Sequence, residues 1–131
     1  DESSINNKLK RLFKKNLNLT TNVNKFGTLN EKQKESLEKV FKNIFNIIKG
    51  PPGTGKTFLA CFIIYNILQN KIDNNSKILI CAPSNDAADN IAYKLIQMSH
   101  HLKSNLKILR ICSKIREYIG SSIKEVEEKS Y

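Results

Sequence analysis

Long apolar runs are missing from this chain of 131 residues. The longest apolar stretch, Leu59 to Leu68, is interrupted by Asn66 and is too short to span a bilayer, so it reads as a buried helix and no membrane partner is expected. No apolar segment of the signal-peptide kind opens the chain. Cysteine is scarce: Cys61, Cys81 and Cys112 are odd in number, widely spaced and in no C-x-x-C pair. That argues against a disulfide framework. Cys61 and Cys81 lie inside apolar patterns and read as buried thiols in a reducing compartment, the cytoplasm first and the nucleus second. The two histidines, His100 and His101, are adjacent and have no metal-ligand spacing with the cysteines, which argues against a zinc site. There is no internal repeat. Acidic residues are also few, 12 against 22 basic ones, giving a net charge of +10. That excess suits a polyanionic partner, nucleic acid before others. A lysine-rich solvated surface gives the same count. Heavy use of Asn and Lys looks like codon bias more than chemistry.

What is present is concentrated in one string. Gly50-Pro51-Pro52-Gly53-Thr54-Gly55-Lys56-Thr57 matches G-x-x-x-x-G-K-[ST], the phosphate-binding loop of nucleoside triphosphatases. The apolar residues of 44–48 precede it and a helical pattern follows, so strand, loop and helix stand in the order the motif needs. Gly50, Gly53 and Gly55 let the loop curl with its N–H groups inward. Pro51 and Pro52 stiffen the entry and add no donors. Thr54 completes the loop. Lys56 is placed to reach the β- and γ-phosphates, and the Thr57 hydroxyl to ligate Mg²⁺, so these two are the candidate catalytic residues. The expected ligands are ATP and Mg²⁺.

The rest of the chain reads as an α/β domain. Residues 5–16 suit a basic amphipathic helix, a nucleic-acid contact or a solvated helix, and 16–28 read as a linker. A helix is predicted from Glu31 to Lys42, with Asn30 as N-cap and Gln33 in the capping-box position. Strands are predicted at 44–48, 77–82 and 106–112, and helices at 56–69 and 86–98, with a polar loop at 71–76. The order β-α-β-α-β implies a parallel sheet with right-handed crossovers and flanking helices. Ligands bind such sheets at the carboxyl ends of the strands, where Gly50–Thr57 and Pro83–Asp89 both fall.

Three further stretches carry a family resemblance. The phosphate loop alone is shared by AAA+ ATPases and several helicase families. Cys81-Ala82-Pro83-Ser84-Asn85-Asp86-Ala87-Ala88-Asp89 resembles motif Ia of superfamily 1 helicases of the up-frameshift type, the RNA helicases of nonsense-mediated mRNA decay. Leu29-Asn30-Glu31-Lys32-Gln33 resembles their L-N-x-x-Q adenine-recognition motif, and Arg110 to Glu117 is similar to their R-[LI]-C-x-K-x-R-E stretch. The resemblance covers residues 29–120. It implies a P-loop NTPase whose residues 29–120 are the first part of a RecA-like domain, after a basic helix and linker at 1–28 and before a charged tail at 121–131.

The resemblance also implies roles. Gln33 would read the adenine edge, in competition with its capping role. Pro83, Ser84 and Asn85 would touch the backbone of single-stranded RNA, or DNA, although strand stop plus helix cap also accounts for Pro83 and Ser84. Asp89 would orient this loop, and Arg110, Lys114 and Arg116 receive no role. Decay factors would be the protein partners. The carboxylate pair that positions water in the family is missing: the sole D-E dipeptide is Asp1-Glu2, in a polar segment. The second RecA-like domain and its arginine fingers are missing too. The chain is therefore expected to be a piece of a longer ATP-dependent helicase and inactive by itself. Rival expectations are a senataxin-like DNA or RNA–DNA helicase, and a truncated nucleotide- or RNA-binding module without turnover.

Overall fold

In the computed structural model, residues 17–70, 77–102 and 107–111 are described. The basic helix expected over 5–16, the loop at 71–76, Cys112 and the charged tail lie outside them. The chain divides into two compact units, Asp1–Asn74 and Asn75–Tyr131.

The first unit starts where a linker was expected. Two short strands, β1 (Asn22–Val23) and β2 (Gly27–Thr28), pair antiparallel as a hairpin. The turn is tight because Lys25 takes a positive φ of 64° and Phe26 N–H closes onto the Val23 carbonyl at 3.0 Å. Val23 and Leu29 are buried, so this segment contributes to the core.

Helix α1 (Glu31–Val40) begins as the spacing predicts. The Asn30 side chain accepts from Gln33 N–H at 2.9 Å, and the Gln33 side chain accepts from Asn30 N–H at 3.0 Å, a complete capping box. The helix stops at Val40, two residues before the predicted Lys42. Asn43 and Asn46 donate their side-chain amides to the Lys39 and Val40 carbonyls, satisfying groups the last turn leaves without intrahelical partners. Helix α2 (Lys56–Gln69) lies against α1. It buries Leu59, Cys61, Phe62 and Tyr65 with Leu37 of α1 and with Val23 and Leu29.

Asn66 interrupts the apolar face of α2 and is fully buried. Its amide accepts from Thr20 N–H at 2.7 Å and donates to the Thr20 and Phe62 carbonyls at 2.9 and 2.8 Å. The extended segment before β1 is thereby tied to α2. These asparagines have structural work, which codon bias does not predict.

The second unit holds helix α3 (Asn85–Ser99). Ser84 is its N-cap, extended in backbone, with its hydroxyl oxygen accepting from Ala87 N–H at 3.2 Å. Ala92 and Ile96 are buried on one face, with Tyr93 and Ile108 packed against them.

The parallel sheet expected from β-α-β-α-β order is not formed among the described residues, whose only sheet is the β1–β2 hairpin. Residues 44–48, 77–82 and 107–111 are assigned to no strand. Most of their large apolar side chains are exposed, Phe45 by 79% and Leu79 by 85%, while Ile108 packs against α3. Helices close their hydrogen bonds within themselves, whereas a central parallel strand requires a neighbour on each side. Cys81 is accordingly exposed, against the expectation of burial, while Cys61 is fully buried. Among the described residues, no helix is long and apolar enough to cross a membrane.

Candidate nucleotide and nucleic-acid sites

The phosphate loop enters α2 through two left-handed glycines. Gly53 has φ 77° and Gly55 has φ 80°, conformations that cost other residues about 1–2 kcal/mol. A Cβ on Gly53 would meet nothing within 4 Å, so the backbone at that point borders open space. A Cβ on Gly55 would stand 2.6 Å from the Gln33 amide nitrogen. The loop is braced internally by the Thr54 hydroxyl, which donates to the Pro51 carbonyl at 2.8 Å. Lys56 Nζ donates to the Gly50 and Pro51 carbonyls, each at 2.7 Å. Its ammonium thus lies inside the curl of the loop, held by two neutral acceptors that an anion can displace. Gly50, Pro51, Pro52, Gly53, Thr54, Lys56 and Thr57 are all exposed, as a ligand-binding loop requires. A glycine curl opening onto space at a helix N-terminus, with a lysine beside it, fits a nucleoside polyphosphate.

Gln33 joins this loop from α1. While its Oε1 completes the capping box, its Nε2 donates to the Thr54 carbonyl at 3.2 Å. The capping role and a place at the nucleotide loop therefore coexist in one side chain.

The loop has an aromatic support that no motif marks. Phe58, in the first turn of α2, stacks on Phe26 of the hairpin with centroids 5.1 Å apart and planes within 9°. Phe62 is tilted against both rings. A Cβ on Gly27 would approach Phe58 Cζ to 3.1 Å, so glycine allows the hairpin to lie this close. The hairpin thus seats the helix that carries Lys56 and Thr57. The signal was Gly27 beside Phe26, read only as loop punctuation.

In the second unit, Pro83 and Ser84 are exposed and Asn85 is half-buried at the start of α3. Asp89 is buried on the same helix and forms an ion pair with Arg110, whose Nε lies 2.7 Å from Oδ1. Arg110 also donates through Nη2 to the Asn85 side-chain oxygen at 3.0 Å and its backbone carbonyl at 3.2 Å. Its Nη1 donates to the Ile111 carbonyl. Arg110 was given no role from sequence. The available signal was Asp89 itself, since a carboxylate one turn from Ala92 on an apolar face needs a cation.

The family profile described as an AAA domain matches residues 28–131. The chain is 38% identical over 98 residues to "Regulator of nonsense transcripts 1" of Dictyostelium discoideum, covering 75% of this chain and 7% of that protein. It is 39% identical over 98 residues to "ATP-dependent helicase NAM7" of Saccharomyces cerevisiae, covering 75% of this chain and 9% of the relative. For "ATP-dependent helicase upf1" of Schizosaccharomyces pombe, the identity is 37% over 98 residues, covering 72% of this chain and 10% of the relative. The chain therefore spans a tenth or less of the length of these curated relatives. No solved structure matches.

Proposed function

Because this chain belongs to the AAA-domain family of P-loop nucleoside triphosphatases, alongside helicases of the up-frameshift type, we propose that it is the ATP-binding segment of an ATP-dependent RNA helicase acting in nonsense-mediated mRNA decay. The observation that carries this is the convergence of Gln33 and the glycine curl on the start of α2, which joins a base-reading amide to a phosphate cradle. The names of the relatives supply the rest of the reading: ATP use from two, nonsense transcripts from another.

In this reading Lys56 leaves the Gly50 and Pro51 carbonyls for the β- and γ-phosphates, and Thr57 offers its hydroxyl to Mg²⁺. Gly53, Thr54 and Gly55 offer backbone N–H groups to the phosphates, while Pro51 and Pro52, which have no N–H, stiffen the entry from Gly50. Gln33 reads the adenine edge. Bound ATP supplies the phosphoanhydride, and Mg²⁺ neutralises its charge. Pro83, Ser84 and Asn85 touch the backbone of single-stranded RNA, and decay factors are the protein partners. Residues 29–120 are the first part of a RecA-like domain, between a basic segment at 1–28 and a charged tail at 121–131. The segments 44–48, 77–82 and 107–111, which are in no strand here, are expected to become strands of its parallel sheet where neighbouring strands are present to pair with them. The compartment is the cytoplasm, with the nucleus second. Turnover by the chain alone is expected to be negligible, because the water-positioning carboxylate pair has no counterpart after an apolar run here.

Titration with a fluorescent ATP analogue in the presence of Mg²⁺ tests the reading. Lys56→Ala is expected to weaken binding at least about tenfold, the loss of a charge-assisted contact. Unchanged affinity would remove the nucleotide site, and with it the proposal.

A further inference from the structure

We propose that Arg110 is a positioning residue for RNA binding: it fixes the Asn85 carboxamide so that the NH₂ group, and not the carbonyl oxygen, faces a phosphate of the strand. The inference rests on the reading of Pro83, Ser84 and Asn85 as the nucleic-acid face.

Asp89 is 2% exposed, and a buried carboxylate needs a cation to offset its desolvation. Arg110, its side chain 14% exposed, meets that need through Nε. The guanidinium is planar and has donors to spare. Nη2 takes both oxygens of Asn85, and Nη1 takes the Ile111 carbonyl. A lysine could pair with Asp89 but could not span all these acceptors from one plane.

The consequence lies in the direction of the Asn85 amide. Its oxygen must face the guanidinium, because an NH₂ there would set donor against donor. Among the described residues, Nδ2 has no partner. Asn85 is half-buried, so this group has a path to solvent. Ser84, one residue earlier, has committed its hydroxyl oxygen to the helix cap. The Asn85 NH₂ is then a fixed side-chain donor at the turn where the strand would pass. A donor suits a phosphate oxygen, and the opposite orientation would repel it. Arg110 therefore acts through Asn85. Its own charge is spent on Asp89 and adds little to attraction of the RNA.

The test uses the full protein and a fluorescein-labelled oligouridylate, with affinity read by anisotropy across a salt series. Asn85→Ala and Arg110→Lys are each expected to weaken binding roughly tenfold to a hundredfold, the range for losing one oriented hydrogen bond to a charged group. The double variant is expected to be no weaker than either single one, since both remove the same contact. Arg110→Lys keeps the ion pair with Asp89, so a purely structural role would be rescued by it. Parent-like binding of that variant would overturn the proposal, as would losses that multiply in the double variant. The paired change Asp89→Asn with Arg110→Gln removes both charges without stranding a buried one. It is expected to weaken binding similarly while leaving the slope of log affinity against log salt as in the parent. A slope shallower by about 0.7 would mean that Arg110 contacts phosphate itself, and would also overturn the proposal. Parent-like binding by Asn85→Ala would instead remove the 83–85 face, and the proposal with it.

Discussion

At Gln33 one side chain serves two elements. Its oxygen caps α1 and its nitrogen holds the Thr54 carbonyl of the phosphate loop. Gln33→Glu separates the two duties. A glutamate still accepts from Asn30 N–H, since a capping box takes either residue, but it cannot donate to Thr54 and it sets a negative charge beside the phosphate site. The melting temperature is expected to stay within a few degrees of the parent, while affinity for an ATP analogue falls at least about tenfold. Retained affinity would mean that Gln33 is only a cap. Tyr65 gives a separate test at the same scale. Burial pushes its hydroxyl pKa up from the ordinary value of 10.0. The native state then holds this proton more tightly than the unfolded state. The stabilisation is complete below the unfolded pKa and is lost as pH rises through the folded one. Denaturant midpoints should fall above pH 10 in the parent and fall less steeply in Tyr65→Phe; parallel curves would contradict this. The cap at Gln33 was legible because its partner is three residues away. The Thr54 contact and the Arg110 clamp were not, because each joins residues 21 apart through folding alone.

Elements differed in legibility for the same reason. The three described helices lie close to where apolar spacing and capping residues put them, because the bonds that define them are local. The β1–β2 hairpin was missed, since two-residue strands leave no alternation to read and Asn, Thr and Gly suggest a loop. Its hold on the rest of the first unit goes partly through Asn66. That amide makes three hydrogen bonds, two of them to the backbone of Thr20. Asn66→Ala would leave the N–H and carbonyl of Thr20 without their protein partner and open a gap beside Phe62. A loss of about 2–4 kcal/mol is expected from unfolding in urea. The hairpin should loosen with it, seen as faster hydrogen exchange at Phe26 and Leu29, whose N–H groups bond to the Val23 and Thr21 carbonyls. A variant as stable as the parent would show that the hairpin does not depend on Asn66 and is held by its other contacts, the Phe26, Phe58 and Phe62 rings among them.

For the molecule as a whole, the pattern of exposed apolar groups is the informative feature. Among the described residues, the large hydrophobic side chains left in water are Ile44, Phe45, Ile47, Ile48, Ile78, Leu79, Ile80, Leu109 and Ile111. Every one of them falls in a segment that sequence pattern assigns to a buried parallel strand. Apolar residues scattered singly over a surface need no explanation, but their concentration in three backbone segments without ladder partners does. Those segments have the composition of strands and, among the described residues, no ladder partners. The net charge of +10 opposes their coalescence by keeping chains apart. In low salt the chain should therefore stay in solution and yet bind the dye ANS strongly, with its helices intact by circular dichroism. Raising salt to about 0.5 M shortens the reach of the charge to a few ångströms and should bring on association, read by light scattering. Replacing Phe45 and Leu79 by serine, which changes no charge, should reduce both dye binding and association while the helical signal stays constant. If the double replacement altered neither, the apolar segments would have to be covered in solution, and the parallel sheet would already be closed.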